Sequence, residues 1–576
     1  MTSDQATRPL SVPAGEGRDG QRSAYDVAIV GYGPVGQLMA TLMARQGHSV
    51  VVFERHSQIY PMPRAVHFDH EVARILQSVG IRPDESDIID PYDNWYEWRN
   101  AARETLLRVD WRGVGPSWWH TSNFFAQPDL EHELDLRARR EPLVEVRRNC
   151  TVTGLAQDGA GVTLTVDDAA ATEAEPATFR ARYVVGCDGA NSTVRRLLDM
   201  PVNDLGYFFD WLIVDMIPNE PVTFDPPAWQ LCDPKRPTTI VPGGPGRRRW
   251  EFMALPGEDI GELNKAETAW RLLQPWGMTP DTATMERHTV YQFQAQWARQ
   301  WRRGRVLIAG DAAHLMPPFA GQGMCAGLRD VFNLHWKLDL VLRGWNDALL
   351  DAYGSEREPH AKYFIDMSIE LGRVICVPDE AAAAERDRQM KAALTDPTLE
   401  PPAPDPPRLG PGVLFAEDEN AGLLSMQGRV EANGTQGLFD DLLGYGWLII
   451  TTQTAAELAR AIPGEDLALL AGLGARTVTI GSTAEADVRD TDGRYGEWFQ
   501  RLGADVVIIR PDFYIFSATV VTELKGALRA LREGVAPVST TVRSRVTGSP
   551  EASPRPSPTG REEAGVTPAS SRTGCC

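Results

Sequence analysis

The chain has 576 residues, 43% hydrophobic and 24% charged, an ordinary globular composition and enough length for two or three cores. A formal net charge of −20 argues against sequence-independent nucleic-acid binding and against adsorption to an anionic membrane, so an anionic ligand needs a local basic pocket. No apolar run approaches the roughly 20 residues of a membrane-spanning helix, and residues 1–23 are too polar for a signal peptide, which makes the cytoplasm the expected location. The seven cysteines form no CxxC and no ligand-like spacing with histidine, so neither a disulfide framework nor a metal site is expected.

Residues 1–23, rich in Gly, Ser, Arg and Pro, read as a disordered leader. The next stretch, "YDVAIVGYGPVGQLMATLMARQGHSVVVFER" (25–55), reads strand, tight turn, helix, strand, with Gly31, Gly33 and Gly36 in GxGxxG spacing. Gly31 permits the turn, Gly33 lets backbone approach a pyrophosphate, and Gly36 permits close helix–strand packing; Glu54 ends the second strand, where it can accept ribose hydroxyls. These residues alone do not separate a resident FAD from a visiting NAD. Two later segments bear on that choice. In "ARYVVGCDGANSTVRRLL" (181–198) a strand delivers Asp188 and Gly189 to a turn before a helix. In "GRVLIAGDAAHLMPPFAGQGMCAGLRDVFNLHWKL" (304–338) a buried strand delivers Asp311, whose carboxylate can accept from a ribityl hydroxyl that a nicotinamide dinucleotide lacks. The loop then passes Pro317, Pro318, Gly321, Gln322 and Gly323 into a long helix. Backbone amides at that helix start can stabilise negative charge on the pyrimidine end of a reduced flavin, so Pro318 and Gly321 are catalytic candidates, with His314 a candidate proton relay.

"TDPTLEPPAPDPPRLGPG" (395–412) is too proline-rich for helix or central strand, and residues 396–412 are expected to be a linker. Beyond it, "GWLIITT", "TVTIGS" and "DVVIIRP" alternate with helical runs at 454–461 and 495–502, the pattern of a small α/β domain over 413–530. Residues 537–576 are expected to be a disordered tail; its terminal "GCC" matches a double-cysteine lipidation signal, but nothing else in the chain implies the machinery that signal needs.

In the order GxGxxG, DG, GD, and with the segments "PRAVHFDHEVARILQSVGI", "FAQPDLEHEL", "LCDPKRP" and "RRRWEFMALPGE", the chain resembles the class A flavoprotein aromatic hydroxylases, the para-hydroxybenzoate hydroxylase family, and within it the 3-(3-hydroxyphenyl)propionate hydroxylases. The resemblance covers 24–395. It implies an α/β fold: a Rossmann-like FAD-binding domain (about 24–90, 122–200 and 303–375) interleaved with a sheet-based substrate domain, mainly 205–300. For 413–530 it implies a thioredoxin-like domain without redox cysteines, serving packing and the support of a homodimer. FAD is then resident, and NAD(P)H and O2 are cosubstrates. The implied chemistry is transfer of oxygen from a flavin C4a-hydroperoxide to a phenolic small molecule, 3-(3-hydroxyphenyl)propionate-like or a larger polyphenol, with no nucleic acid or membrane as partner. Carried over residue by residue, Gly31, Gly33, Gly36 and Glu54 match the ADP half, Arg64 the arginine near the pyrophosphate, and Gln127 a flavin-side glutamine. Asp188 and Gly189 match the DG motif, and Asp311 the ribityl ligand. Cys325 departs from the asparagine of many relatives. Arg236, Arg248 and Arg249 are candidates for a substrate carboxylate, and Trp95, Trp98, Trp118, Trp119, Trp211, Trp229 and Trp250 are candidates for core or for an aromatic pocket. The alternatives are a non-catalytic FAD-binding redox sensor and a flavoenzyme of other chemistry, such as halogenation or oxidation.

Overall fold

A computed structural model of the chain describes residues 24–60, 64–169, 176–206, 209–396, 405–482 and 486–536. The expected leader, residues 397–404 of the proline-rich linker and the expected tail lie outside the described residues. The chain is a mixed α/β protein built around three large sheets.

The first sheet begins with the strand Tyr25–Val30, an unbroken apolar run that suits burial on both faces. It pairs in parallel with Val50–Glu54 on one side and with the end of Ala177–Gly186 on the other; Val306–Ile308 and Val144–Arg148 extend the parallel array outwards. Two strands that sequence order keeps far apart thereby finish in line with Val30, Gly186 beside it and Ile308 beside Gly186. Their C-terminal turns, which carry the DG and GD motifs, share one edge with the glycine-rich turn, where open α/β sheets bind ligands.

The second sheet runs Ala283–Phe293, Phe209–Pro218, Arg248–Met253, Thr238–Pro242, Ala228–Cys232, Trp95–Asn100, Thr105–Asp110. Its last two strands come from a segment N-terminal to 205–300, so the sheet is assembled from both sides of the DG turn. Residue alternation divides its faces. Trp211, Ile213 and Met253 join one apolar cluster, whereas Leu212, Val214, Trp250 and Phe252 join another beneath the helix Ala266–Leu273.

The third sheet, seven strands within 429–519, uses the same alternation to face two ways. Leu448, Ile450, Val507 and Ile509 pack into a local core, while Ile449, Val506 and Ile508 pack with Leu334, Trp336 and Leu338 of the helix Gly323–Leu342. Polar groups in that second contact are fully buried. Arg510 donates through Nη2 to Glu356 Oε2 at 2.6 Å and to Asp512 Oδ2 at 2.6 Å; Lys337 Nζ reaches Glu356 Oε2 at 2.8 Å, and Asn333 donates to both carboxylates. Closer to the surface Arg74 pairs with Asp440. Removing one partner of a buried ion pair strands the other charge without solvent. Arg510→Ala is expected to destabilise the protein by about 3–5 kcal/mol, read as a fall in the urea midpoint of tryptophan fluorescence; an unchanged midpoint would contradict this account of the contact.

Candidate active site

The three turns at the edge of the first sheet open onto a cavity of about 330 Å³. Gly31 has φ +99°, and a Cβ there would strike the backbone of Cys187; a Cβ on Gly36 would strike the carbonyl oxygen of Gly31. Those glycines therefore hold backbone against backbone. Gly33 and Gly189 differ: both line the cavity, and a Cβ on either would meet nothing within 4 Å. Asp311 also lines the cavity. Its carboxylate is open to the cavity though surrounded by protein, burial raises its pKa, and among the described residues no group donates a hydrogen bond to it. Gln127 Oε1 accepts from the amides of Arg64 (3.2 Å) and Ala65 (2.7 Å), which places both Gln127 and Arg64 on the lining. A helix N-terminus behind Gly33, two open glycines and a carboxylate with spare acceptor capacity fit a flavin dinucleotide.

Two of the nominated acidic residues bond to nearby backbone amides. Glu54 does not line the cavity; its oxygens accept from the amides of Tyr32 (2.8 Å) and His56 (2.9 Å). Asp188 accepts from Ser192 Oγ and from the amides of Thr193 and Val194, so it secures the start of the helix Thr193–Leu197, and Gly189 is the part of the DG turn that reaches the cavity.

The loop 314–323 forms another wall. Pro318, Gly321 and Gly323 line the cavity, and the helix begins at Gly323. Gly321 has φ +64°, and its missing side chain makes room for His67, because a Cβ would lie 2.6 Å from His67 Nδ1; a Cβ on Gly323 would meet only Met316 Cγ, at 4.0 Å. His314 is a correction to the sequence reading. It does not line the cavity; its Nε2 is 2.7 Å from Asp330 Oδ2, both groups fully buried, and its ring lies against Trp301. Cys325 is likewise buried off the cavity, its thiol nearest the carbonyls of Gly321 (3.7 Å) and His67 (3.9 Å).

The remaining wall is the second sheet, and its pleat corrects the arginine candidates. Arg249 lines the cavity, whereas Arg248, one residue away, points to the opposite face, donates to the carbonyl of Pro227 at 2.7 Å and lies over Phe224. Arg236 sits in a turn and pairs with Glu258. Arg249 itself is already paired: Nε and Nη2 donate to Asp215 at 2.7 and 3.1 Å, because the register sets Asp215 directly opposite Arg249 on one side and Arg287 on the other. None of the seven nominated tryptophans lines the cavity. Trp111 does, stacked between His67 (centroids 5.0 Å apart) and Tyr96 (4.4 Å), in a segment that carried no motif. Sequence reading also missed Glu251, Thr239 and Gln230. They occupy one cross-strand row and follow from strand register alone.

Glu251 is held up to about pKa 7 from an ordinary 4.5, chiefly by burial, with Asp215 adding to the rise and Arg249 and Arg287 opposing it. A folded-state value above the unfolded one means that the two states hold the proton equally below about 4.5; the folded state then retains a proton that the unfolded chain has released, so stability falls as pH rises from there to about 7. Glu251→Gln is expected to stabilise the protein by about 1–3 kcal/mol at pH 8.5 and by little at pH 4.5; thermal melts that show the reverse order would refute this.

Comparison with known proteins agrees with the geometry. The family model described as FAD binding domain matches residues 24–368, and that described as HcaD C-terminal domain matches 422–534. A probable NADH-specific resorcinol 4-hydroxylase of Rhodococcus jostii (strain RHA1) is 39% identical over 91% of this chain and 97% of that protein. A 3-(3-hydroxy-phenyl)propionate/3-hydroxycinnamic acid hydroxylase of Paraburkholderia xenovorans (strain LB400) is 33% identical over 87% of this chain and 90% of that protein. Among solved structures, the flavin-dependent monooxygenase PieE in complex with FAD and substrate shares the fold at a TM-score of 0.71 and 20% identity, covering 88% of this chain and 98% of that one. With the FAD-binding match spanning more than half the chain and relatives aligned along nearly its whole length, this protein belongs to the flavoprotein aromatic hydroxylases.

Proposed function

We propose that this chain is an FAD-dependent monooxygenase that hydroxylates a phenolic small molecule with NAD(P)H and O2. The observation that carries the reading is a single cavity with two kinds of wall. The flavin-type turns at Gly33, Gly189 and Asp311 form one part, and an aromatic stack with polar sheet residues forms the other. The chemistry that FAD supplies when bound is acceptance of two electrons from NAD(P)H and activation of dioxygen. The protein's part is placement. Gly33 and Gly189 let backbone approach the dinucleotide, Asp311 accepts from its hydroxylated chain, and Arg64 offers a cation for its phosphates. The amides that start at Gly323 favour negative charge at that end of the cavity. His67, Trp111 and Tyr96 give the arene a flat wall and keep water from it. NADH is the nicotinamide favoured by the resorcinol 4-hydroxylase relative.

We also read residues 413–530 as thioredoxin-like. Parallel strands Leu448–Thr451 and Arg476–Gly481 beside antiparallel Val506–Ile509 and Ile515–Thr519 support this, and the segment contains no cysteine.

Two measurements test the function. With a phenol that accelerates NADH consumption, isotopically labelled dioxygen should place one atom in the product and the other in water; product without label would overturn the monooxygenase reading. Asp311→Ala should purify with most of its FAD lost while its circular dichroism is unchanged, and wild-type flavin occupancy would remove Asp311 from the cofactor site.

A further inference from the structure

Above about pH 7, where Glu251 is ionised, the charges around the sheet wall of the cavity balance before any substrate arrives. Asp215 lies between Arg249 and Arg287 on adjacent strands, 2.7 Å from the first and 3.2 Å from the second, and Arg249 also donates to the carbonyl of Arg64 at 2.7 Å. Glu251, two residues along the same strand and on the same face as Arg249, completes a cluster of two arginines and two carboxylates. It stands apart within that cluster. Its nearest cation is Arg249 at 3.7 Å, beyond hydrogen-bond distance, and among the described residues no group donates a hydrogen bond to its carboxylate, although Glu251 is only 7% exposed and lines the cavity. A buried carboxylate without a donor costs free energy, so a donor from outside the chain is the natural complement. Neighbouring polar groups do not supply one: Thr239 donates to Gln230, and Gln230 donates to Tyr96. The other lining cation, Arg64, lies over the Tyr60 ring at 4.9 Å and acts electrostatically on Asp311 and Glu131, on the flavin side.

Resting on the reading of this chain as a phenol hydroxylase, we propose that Glu251 is a substrate-recognising residue that accepts a hydrogen bond from a second hydroxyl of the arene, and that the site selects neutral dihydroxyarenes over phenols bearing a carboxylate. Both halves follow from the same charges. A hydroxyl gives Glu251 its missing donor, in a charge-assisted bond that is stronger than a neutral one. A substrate carboxylate would instead enter a cluster that is already neutral and would sit beside a second anion, with Arg249 engaged by Asp215. The stability cost of Glu251 at neutral pH is consistent with a residue kept for binding rather than for folding.

The test uses the oxidised, FAD-loaded full-length protein, with ligand binding read from the flavin absorbance spectrum. The ligands are resorcinol, 3-methoxyphenol, which keeps the size but loses the second donor, and 3-(3-hydroxyphenyl)propionate. Wild type should bind resorcinol roughly 10- to 100-fold more tightly than 3-methoxyphenol, the loss of one charge-assisted hydrogen bond. In Glu251→Leu that ratio should fall to within about threefold, and in Glu251→Gln the propionate should gain at least about tenfold relative to resorcinol. A role limited to balancing Arg249 and Arg287 would weaken all three ligands alike and leave the ratios unchanged. Equal wild-type affinity for resorcinol and 3-methoxyphenol, tighter wild-type binding of the propionate, or ratios that survive both substitutions would each overturn the proposal, and the wild-type ratios decide it even where a variant does not fold. Selective binding without phenol-stimulated NADH oxidation would leave Glu251 in its role and reject the hydroxylase reading instead.

Discussion

One helix, Gly323–Leu342, carries ionised groups through the protein interior, and the rest of the architecture is arranged to meet them. Arg329 pairs with Asp69 and Glu71, Asp330 with His314 and Arg357, and Lys337 with Glu356. The partners come from three stretches of chain: Asp69 and Glu71, His314, and the consecutive Glu356 and Arg357. A buried charge without its partner is strongly destabilising, so these pairs act as fixed registration points, Arg329 joining the helix to a segment 258 and 260 residues away and the others joining it to the flanking loop and the following helix. Asp69 shows how tightly the points are used: one oxygen caps the helix His70–Ser78 and the other receives Arg329. The loop 314–323 is therefore clamped at His314 and again at the helix it enters, which fixes the wall of the cavity that Pro318, Gly321 and Gly323 provide.

The same helix couples the C-terminal unit to the catalytic one. Asn333 and Trp336 donate to Asp512, while Lys337 and Arg510 meet at Glu356. Around these groups the apolar residues of the third sheet alternate between a private core and the shared one. A domain joined only by a linker would show a polar face there. Instead the two units bury a continuous apolar contact with a fully satisfied ionic centre, so their relative placement is set by packing as well as by chain connection.

Within the cavity, stability and recognition pull against each other. Asp215 is hydrogen-bonded to Arg249 and ion-paired with Arg287 across the strands, which makes the three groups good structure and poor ligands, although Nε and Nη2 of Arg287 donate to no group among the described residues. Glu251, on the same face, is left without a donor and is pushed towards neutrality by burial. Groups that a fold leaves under-satisfied at a cavity wall are the ones with binding energy still to give.

The sequence by itself determined the parts governed by local rules. The glycine-rich turn, the DG and GD strand ends and the proline-laden loop are read from residue types at fixed short spacings, because the constraints that they answer, positive φ, backbone contact and helix starts, act within a few residues. The short strands and helices of the C-terminal unit are legible for the same reason. What only the tertiary structure decided are choices made across strands. Whether Arg248 or Arg249 faces the cavity depends on the phase of a two-residue alternation whose origin is set by neighbouring strands. Whether Arg249 is available depends on Asp215, some thirty residues away and opposite it only through register. His314 looked like a proton relay because it lies in the right loop; Asp330, reached only when the following helix folds back, takes it into the core. Trp111, Tyr96 and Glu251 carry no motif at all. They are brought to one cavity by the pairing of Ala228–Cys232 with Trp95–Asn100 and by the folding of the chain over both, which no local pattern of residues encodes.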